Sequence, residues 1–240
     1  MNLILFQSDE TQRPLPRDDA RAVHLLTVLR RQPGDTFDAG LINGPRGKGT
    51  VVAIGSAHLE LSFNWSGAPP PPVDPVTLVL GLPRPQTARK ILQEAAALGV
   101  TTLHFVRCDR AEPSYADSTL WSSGEWQRHL EAGTAQAFAT DLPTLTHGET
   151  LVSTLANLPA DATRLALDNY ESSAALSAAP CPAGRPLVLA FGPERGWSPA
   201  ERDALRARGF TLAHLGTRVL RLETAVVAAL AITKARRGLM

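Results

Sequence analysis

Four consecutive prolines constrain the fold of this 240-residue chain more than any other feature. They stand at positions 69–72, within the stretch "SGAPPPPVDP" that covers residues 66–75. Proline lacks a backbone N–H and has a fixed φ, so this run cannot continue a helix or pair in a central strand. We therefore predict an extended linker over residues 69–75, between a first domain (residues 1–68) and a second domain (residues 76–240).

The segment before the linker has the pattern of a small β-rich domain. "NLILFQ" (residues 2–7) predicts a first strand, and "QPGDTFDAG" (residues 32–40) predicts a turn followed by a strand. "GKGTVVAIGSAHLELSFNW" (residues 47–65) predicts a pair of strands. Apolar residues recur at helical spacing in "RDDARAVHLLTVLRR" (residues 17–31), which predicts a short helix between these strands.

After the linker, apolar strands alternate with amphipathic helices. The first strand, "VTLVLGL" (residues 76–82), is a nearly continuous apolar run, which is typical of a strand covered on both faces. The pattern then predicts further strands over residues 101–108, 162–169, 185–191 and 210–216, and helices over residues 87–100, 124–139, 198–209 and 224–237. This alternation predicts a mostly parallel α/β sheet with helices on both faces.

Composition excludes several classes of protein. With 24 basic and 23 acidic residues the net charge is +1, which argues against a strongly basic nucleic-acid coat but allows a local RNA-binding patch. The hydrophobic content of 44% and the charged content of 20% are ordinary for a globular protein. No apolar run approaches the ~20 residues of a membrane-spanning helix, and the apolar start of the chain is too short for a signal peptide. We expect a cytoplasmic protein with no membrane partner.

The two cysteines give no sign of a metal site. Cys108 and Cys181 are far apart, and neither has a neighbour at metal-ligand spacing. His104 lies four residues before Cys108, but in a stretch predicted to be a strand, where that spacing does not place two side chains on one metal. We predict two unpaired thiols in a reducing compartment and no bound metal.

Two glycine-containing loops follow apolar strands in the second domain. "FGPERGW" (residues 191–197) precedes Ser198, Pro199 and Glu201, which form a capping box with proline at the first helical position. "LGTRVLRLETAVVAAL" (residues 215–230) begins as a polar turn and ends as an apolar helix. Ligands of such sheets bind beyond the carboxyl ends of the strands, where both loops fall. Glycine lets backbone groups approach a flat ligand such as a nucleoside, although glycines can also simply turn the chain.

The sequence lacks the fingerprints of several common sites. It contains no G-x-x-x-x-G-K-[ST] phosphate-binding loop, no G-x-G-x-x-G after a strand and no G-x-S-x-G nucleophile motif. The two glycine loops and the charges beside them are therefore the features that point to a site.

These loops resemble the paired signature of the RsmE family within the SPOUT superfamily. The pattern L-G-x-x-[IV]-L-R-x-E-T-A is matched in full by residues 215–225, and G-P-E-G-G-[FW]-[ST]-x-x-E is matched by residues 192–201 with one departure. "HLLTVLRRQPGDTFDAG" (residues 24–40) and "RKILQEAAALGVTTLHFVRCDRAEPSY" (residues 89–115) also resemble segments of that family. The resemblance spans nearly the whole chain.

The resemblance implies a fold that periodicity would not suggest. Members of the family combine a small N-terminal PUA-like β-barrel, an RNA-binding domain, with an α/β domain whose C-terminal segment threads a trefoil knot. Knots are otherwise very improbable. In the family the cofactor lies in the knot and the site is completed across a homodimer interface, so the resemblance also implies a homodimer.

The resemblance further implies an activity. RsmE proteins use S-adenosylmethionine to methylate N3 of a uridine in small-subunit (16S) ribosomal RNA. Carried over by position, the cofactor-binding residues are Leu167, Gly192, Pro193, Glu194, Gly196, Leu215, Gly216, Val219, Leu220, Arg221 and Thr224.

Arg221 and Glu194 are the catalytic residues that the resemblance implies. Methyl transfer to N3 requires loss of the N3 proton, which leaves negative charge on the uracil ring, and a guanidinium would stabilise that charge. Glu194 or Glu223 would orient the arginine or cap backbone amides. The alternative for Arg221 is a structural salt bridge with one of these glutamates. RNA contacts are expected from Arg30, Arg31, Arg84, Arg89 and Lys90, each of which could instead be a solvated surface charge.

Three departures from the family pattern leave other functions open. Arg195 stands where the family has a second glycine, Ala97 replaces a glutamate, and Phe138 replaces an arginine. One alternative is a related SPOUT methyltransferase that acts on another RNA position. The other is a ribosome-assembly or RNA-binding protein that keeps the fold without turnover.

Overall fold

The computed structural model describes residues 3–66 and 75–240, so the predicted linker lies outside the described residues except for Pro75. The chain divides into two compact units. The first comprises Met1–Pro71 and Thr134–Leu142, and the second comprises Pro72–Gly133 and Pro143–Met240. Residues from the middle of the chain therefore complete the first unit. No helix in the part of the chain that the structure describes is both long and apolar enough to cross a membrane.

The first unit is built on a five-stranded sheet. Its strands are β1 (Ile4–Phe6), β2 (Leu15–Pro16), β3 (Thr36–Leu41), β4 (Arg46–Ile54) and β5 (His58–Trp65). They pair in the order β1-β3-β4-β5-β2, with β1 parallel to β3 and the other pairs antiparallel. Among the described residues the edge strands β1 and β2 do not pair with each other, and the sheet is a curled half-barrel. The predicted strands of this segment are confirmed.

The helix predicted over residues 17–31 is shorter than expected. Helix α1 covers only Ala20–Val23, and a five-residue π-helical segment, His24–Val28, follows it. The Asp19 carboxylate accepts the backbone N–H of Arg21 at 2.8 Å, and this cap sets the first residue of the helix. Arg30 has a left-handed backbone (φ 53°), which ends the helical path. Apolar spacing alone did not reveal either boundary.

Residues 134–142 join the first unit through backbone contacts. The backbone N–H of Leu3 donates to Ala135 (3.0 Å), and that of Asn43 donates to Thr140 (2.8 Å). Phe138, one of the departures from the family pattern, has a left-handed backbone (φ 58°), and its carbonyl accepts from Arg46 at 3.0 Å. At this position the backbone carbonyl therefore makes the contact with β4 of the first unit.

The second unit is built on a seven-stranded sheet. Its strands are β6 (Val76–Gly81), β7 (Thr102–Arg107), β8 (Thr144–Thr150), β9 (Thr163–Leu167), β10 (Ala174–Ala175), β11 (Leu187–Phe191) and β12 (Thr211–His214). They pair in the order β10-β12-β9-β11-β6-β7-β8, and every pair is parallel. The predicted α/β fold with a parallel sheet is confirmed.

Helices connect these strands. They are α2 (Pro85–Ala97), α3 (Thr119–Ser122), α4 (Glu125–Gln136), α5 (Leu151–Ala156), α6 (Pro199–Ala207) and α7 (Leu222–Arg236). The sequence analysis did not predict β8 and α5. Strand β8 lies at the edge of the sheet and most of its side chains are exposed, so it lacks the apolar run by which buried strands are recognised.

The carboxyl ends of neighbouring strands meet at one edge of this sheet. Strand β11 is buried along its whole length, between β9 and β6. Its last residue, Phe191, pairs with Leu167 of β9 and with Leu80 of β6. Leu167 also pairs with Ala213 of β12. The loops that follow β9, β11 and β12 therefore leave the sheet at the same place.

Candidate active site

A cavity of about 440 Å³ opens at this edge of the sheet. Three loops form it, one after each of β9, β11 and β12, and the start of α7 completes it. Its volume lies in the range of small-molecule sites, and its position beyond the carboxyl ends of parallel strands is where such sheets bind ligands. The lining residues are Leu167–Tyr170, Phe191–Glu194, Gly196, Trp197, His214–Leu220, Leu222 and Ala225.

The loop after β11 is held tightly against its neighbours. The indole of Trp197 is fully buried and donates to the carbonyl of Leu167 at 3.1 Å. A Cβ at Gly192 would lie 3.0 Å from the backbone nitrogen of Trp197, so this close turn favours glycine. Pro193 packs on Gly81, where a Cβ would come within 2.5 Å of the proline ring. The loop is therefore clamped to the ends of β9 and β6.

Arg195 fits this loop without backbone strain. Among the described residues it is not one of the non-glycine positions with positive φ, whereas the next residue, Gly196, has φ +70°. The Arg195 side chain is exposed and is not among the residues that line the cavity. Its carbonyl accepts from the guanidinium of Arg110 at 3.3 Å. The arginine at this position leaves the cavity open.

A hydrogen-bond network fixes the start of α6 directly after this loop. The Ser198 hydroxyl accepts from the backbone of Glu201 (3.2 Å), and the Glu201 carboxylate accepts from the backbone of Ser198 (2.7 Å). The predicted capping box is thus confirmed. The same carboxylate accepts from the backbone of Asp109 (2.9 Å), and the Ser198 hydroxyl donates to the Asp109 carboxylate (2.5 Å). The network ties the loop to the end of β7.

The loop after β12 turns sharply into α7. Gly216 has φ +109°, a backbone conformation that favours glycine, and its N–H donates to the His214 ring at 3.0 Å. Apart from its two chain neighbours, no described residue has an atom within 4 Å of the position that a Cβ at Gly216 would take. Arg221 has extended backbone angles, and its carbonyl accepts from Ala225 in the first turn of the helix. This loop therefore presents open backbone to the cavity.

The cavity brings together most of the predicted cofactor residues. Those that line it are Leu167, Gly192, Pro193, Glu194, Gly196, Leu215, Gly216, Val219 and Leu220. Arg221 and Thr224 are exposed and are not among the lining residues. Their chain neighbours Leu222 and Ala225 do line the cavity, so both residues lie at its margin.

Arg221 has no ion pair in the described part of the chain. The alternative of a structural salt bridge required Glu194 or Glu223, and both carboxylates bind other groups. Glu194 accepts the backbone N–H of Arg84 at 2.9 Å, and Glu223 pairs with Lys90 at 3.2 Å. Burial alone would raise the pKa of Glu223, but hydrogen bonds from its own backbone and from Lys90, together with the positive charges of Lys90 and Arg221, hold that pKa below its ordinary value. The Arg221 guanidinium is thus exposed beside the cavity.

The residues expected to contact RNA lie in different environments. Arg30 is exposed and Arg31 is half-buried in the first unit. In the second unit, Arg84 is exposed and its guanidinium donates to the Tyr115 hydroxyl at 3.2 Å. Lys90 is engaged by Glu223, and Arg89 makes a two-bond ion pair with Glu125 at 2.7 and 3.0 Å. RNA contact by these residues stays a prediction.

The sequence analysis did not single out several residues around the cavity. Asp168 and Tyr170 line it, as do His214 and Arg218. Arg202 supports it from α6 through an ion pair with Asp168 at 2.7 Å. The letters "DNY" (residues 168–170), at the end of the predicted strand of residues 162–169, were an available signal, because polar residues at a strand's carboxyl end lie at the binding edge of such sheets.

The lining suits a flat organic ligand held by backbone groups. Glycines at positions 192, 196 and 216 expose main chain, and Leu215, Val219 and Leu220 add apolar surface. Among the described residues there is no cluster of three His, Cys, Asp or Glu side chains that could hold a metal ion. The cavity therefore offers backbone hydrogen bonds and apolar contact to a ligand.

Comparison with known proteins identifies the family of this chain. The sequence model of the family described as "RNA methyltransferase domain" matches residues 69–234. Ribosomal RNA small subunit methyltransferase E of Treponema pallidum is 34% identical, over 98% of this chain and 91% of that protein. The protein of the same name from Borreliella burgdorferi is 25% identical, with 98% of both chains covered.

Solved structures share the fold. A probable rRNA methyltransferase from Porphyromonas gingivalis has a TM-score of 0.83 and 21% identity, with 98% of this chain and 99% of that chain covered. Ribosomal RNA small subunit methyltransferase E from Neisseria gonorrhoeae, solved bound to S-adenosyl methionine, has a TM-score of 0.78 and 23% identity, with 98% of both chains covered. Two C-terminal loops match the RsmE pattern and form one cavity. Together with the matches above, they show that the chain belongs to the ribosomal RNA small subunit methyltransferase E family.

Proposed function

We propose that this protein is an enzyme that uses S-adenosylmethionine to methylate N3 of a specific uridine in small-subunit (16S) ribosomal RNA. One observation carries the proposal: the two loops that match the RsmE pattern, separate in sequence, form a single cavity at the carboxyl edge of the parallel sheet. Family membership and the S-adenosyl methionine in the N. gonorrhoeae relative agree with it.

The cofactor would be held mainly by main chain. Gly192 and Gly196 turn the first loop tightly, and Gly216 leaves open space beside the second, so the absence of side chains at these positions would let the cofactor approach the main chain. Leu215, Val219 and Leu220 supply apolar contact beside those groups. When bound, S-adenosylmethionine supplies an electrophilic methyl group.

In this proposal Arg221 stabilises the reacting base. The N3 proton of uracil must leave before the methyl group is accepted, and negative charge then spreads over the ring and its carbonyl oxygens. The exposed guanidinium of Arg221 stands at the cavity margin, without a carboxylate partner among the described residues. It also stands at the N-terminus of the 15-residue helix α7, where the helix dipole favours an anion.

Glu194 acts through the backbone in this proposal. Its carboxylate accepts the N–H of Arg84, which joins the loop after β11 to the start of α2. We propose that this bond keeps the loop, and the cavity wall it forms, in one position.

The finer features of the family belong to the same proposal. We propose that the curled sheet of the first unit corresponds to a PUA-like RNA-binding domain and that the second unit carries the trefoil knot. The topology supports the knot: β12 lies beyond β9 in the sheet, and α7 then returns to pack against α2. We also propose a cytoplasmic homodimer that contacts RNA through Arg30, Arg31, Arg84, Arg89 and Lys90.

The direct test is methyl transfer to ribosomal RNA. Purified protein would be incubated with methyl-labelled S-adenosylmethionine and with small ribosomal subunits, or their naked RNA, from cells lacking this activity. We expect label in the RNA and 3-methyluridine in its nuclease digest by mass spectrometry. Another methylated nucleoside would favour a related RNA methyltransferase, and saturable RNA binding without any methyl incorporation would favour a non-catalytic RNA-binding protein.

A further inference from the structure

We infer that Tyr170 is a stacking platform for a base of the substrate RNA at the mouth of the cavity. This inference rests on the proposed function and assigns a substrate-binding residue to it. The argument begins with the position of Tyr170, which lines the cavity while 76% of its surface is exposed.

The loop that carries Tyr170 is held rigidly from below. One oxygen of the Asp168 carboxylate accepts the backbone N–H groups of Tyr170 (2.8 Å) and Glu171 (2.6 Å). The Ser172 hydroxyl donates to the carbonyl of Asp168 and closes the turn. These bonds leave the backbone on either side of Tyr170 little freedom.

A buried ion pair anchors this turn to α6. The other oxygen of Asp168 accepts from the Arg202 guanidinium at 2.7 Å, and the two side chains are only 1% and 5% exposed. Arg202 also pairs with Glu171 at 3.4 Å, and Glu171 pairs with Arg206 at 2.5 Å. Removing two charges from water costs free energy, so a buried pair is weak as a source of stability and more useful for fixing one arrangement.

The same guanidinium fixes the tyrosine ring. The central carbon of Arg202 lies 5.4 Å from the centre of the Tyr170 ring, which is cation–π range. The ring edge also approaches Gly196, where a Cβ would lie 3.5 Å from it. The Tyr170 hydroxyl has no hydrogen bond within the described ranges, 3–66 and 75–240. The ring is thus positioned by its neighbours while most of its surface stays open to solvent.

An aromatic ring fixed in this way matches the way proteins hold unpaired RNA bases. Such bases stack on aromatic side chains, and the stacking does not require hydrogen bonds to the ring. Tyr170 lies at the solvent side of the cavity, whereas Phe191 and Trp197, which also line it, are buried. A base arriving from solvent therefore meets Tyr170 before it reaches the cofactor, which favours an RNA base over the adenine of the cofactor as the stacking partner.

The experiment compares Tyr170→Ala with Tyr170→Phe and Tyr170→Trp, which keep an aromatic ring. For each we would measure kcat and KM for small ribosomal subunits and the Kd of S-adenosylmethionine by calorimetry. We expect Tyr170→Ala to raise KM for the subunits about 10- to 100-fold, with kcat and the cofactor Kd little changed. The Phe and Trp variants should retain a KM near that of the wild type.

Four outcomes would overturn the inference, and they can be told apart. An unchanged KM in Tyr170→Ala would remove the RNA-stacking role, and so would a raised KM in Tyr170→Phe, which keeps the ring. A cofactor Kd weakened as much as the KM would assign the ring to the cofactor. A wild-type protein that transfers no methyl group to RNA would refute the proposed function and this inference with it. The first of these outcomes, unchanged kinetics of Tyr170→Ala with an active wild-type protein, would refute the inference and leave the proposed function standing.

Discussion

Arg221 is the residue on which the proposed chemistry depends most directly. Its guanidinium is exposed at the cavity margin, and the carboxylates that could have neutralised it are bound to Arg84 and Lys90. A guanidinium without an ion pair in the described ranges can act on a negatively charged reacting base. Neither Glu194 nor Glu223 forms an ion pair with Arg221 there, although the charge of Arg221 helps to lower the pKa of Glu223.

We predict that Arg221→Ala lowers kcat for RNA methylation about 100-fold or more, since one donor to a developing negative charge commonly supplies that much. Binding of S-adenosylmethionine should weaken little, because Arg221 is not among the residues that line the cavity. The measurement is single-turnover methyl transfer together with calorimetry. Arg185→Ala, an exposed arginine outside the cavity lining, is the matched control. Wild-type turnover by Arg221→Ala would show that this residue has no catalytic role.

Cys108 is a partly buried thiol whose surroundings disfavour the thiolate form. Burial raises the pKa of Cys108 well above its ordinary value, and the nearby carboxylates of Glu201 and Asp109 raise it further. Because only the thiolate is nucleophilic, the folded protein should contain almost no reactive form of Cys108 at pH 8.

We therefore predict that Cys108 in a Cys181→Ala variant reacts with a disulfide reagent at pH 8 only as fast as the protein unfolds. Cys181 is buried and Cys108 is partly buried, and removing Cys181 makes the reaction specific to one thiol. The rate would be followed by absorbance in buffer and again in denaturant. Fast labelling of the native protein would contradict the raised pKa.

At the scale of elements, the cap at the start of α6 also holds a loop of the cavity. Ser198 caps the helix and also donates to Asp109, while Glu201 closes the capping box and reaches the backbone after β7. The loop after β11, which forms one cavity wall, ends at this cap. The helix cap therefore holds a binding loop in place as well as the helix.

Replacing Ser198 should expose this double role. We predict that Ser198→Ala lowers the free energy of unfolding by about 1–2 kcal/mol, the usual cost of losing an N-cap. Aspartate is ordinarily as good a cap as serine, but here it would face the carboxylate of Asp109, so Ser198→Asp should be no more stable than Ser198→Ala. Urea unfolding at neutral pH measures both. Ser198→Asp with wild-type stability would mean that the bond to Asp109 matters little.

Element boundaries show where local patterns stop being informative. The helix predicted over residues 17–31 has helical apolar spacing, yet the Asp19 cap and a π-helical segment confine its α-helical part to four residues. Helix α2 was predicted over residues 87–100 and covers Pro85–Ala97, with Pro85 at its first position and Gly99 (φ +69°) shortly after its end. Strand β8 was missed because its side chains are mostly exposed and include no apolar run. Caps and breakers are local, whereas exposure is set by the rest of the molecule.

At the scale of the whole molecule, α7 has more apolar surface than one chain covers. Its side chains are apolar over most of Ala225–Ile232, and Val227, Ala228, Ala231 and Ile232 are only half-buried. Val219, just before the helix, is 84% exposed. Apolar surface of this kind is typical of a face that a second subunit covers.

We predict that the protein sediments as a dimer of the 25.7 kDa chain, with about twice that mass at micromolar concentration. A Val227→Glu/Ile232→Glu variant should shift the mass toward one chain, because two buried like charges oppose association. Calorimetry on the same variant would show whether cofactor binding requires the dimer. A wild-type protein that sediments as a single chain and still methylates RNA would contradict the predicted dimer.

The sequence by itself determined those features of this protein that depend on interactions between residues close together in the chain. Apolar runs specified the buried strands β6 and β11, the Ser198–Glu201 capping box specified the start of α6, and the glycine-containing patterns specified two of the three loops of the cavity. Each of these rests on interactions within a few residues, which periodicity and turn chemistry reveal.

Only the tertiary structure decided how distant parts meet. It placed β9 between β11 and β12, bonded Trp197 to Leu167, paired Asp168 with Arg202 and joined residues 134–142 to the first unit. In the folded chain Arg221 and Thr224 lie at the margin of the cavity, whereas the other residues predicted to bind the cofactor line it. These outcomes depend on contacts between residues that are 24 or more positions apart, which no local pattern encodes.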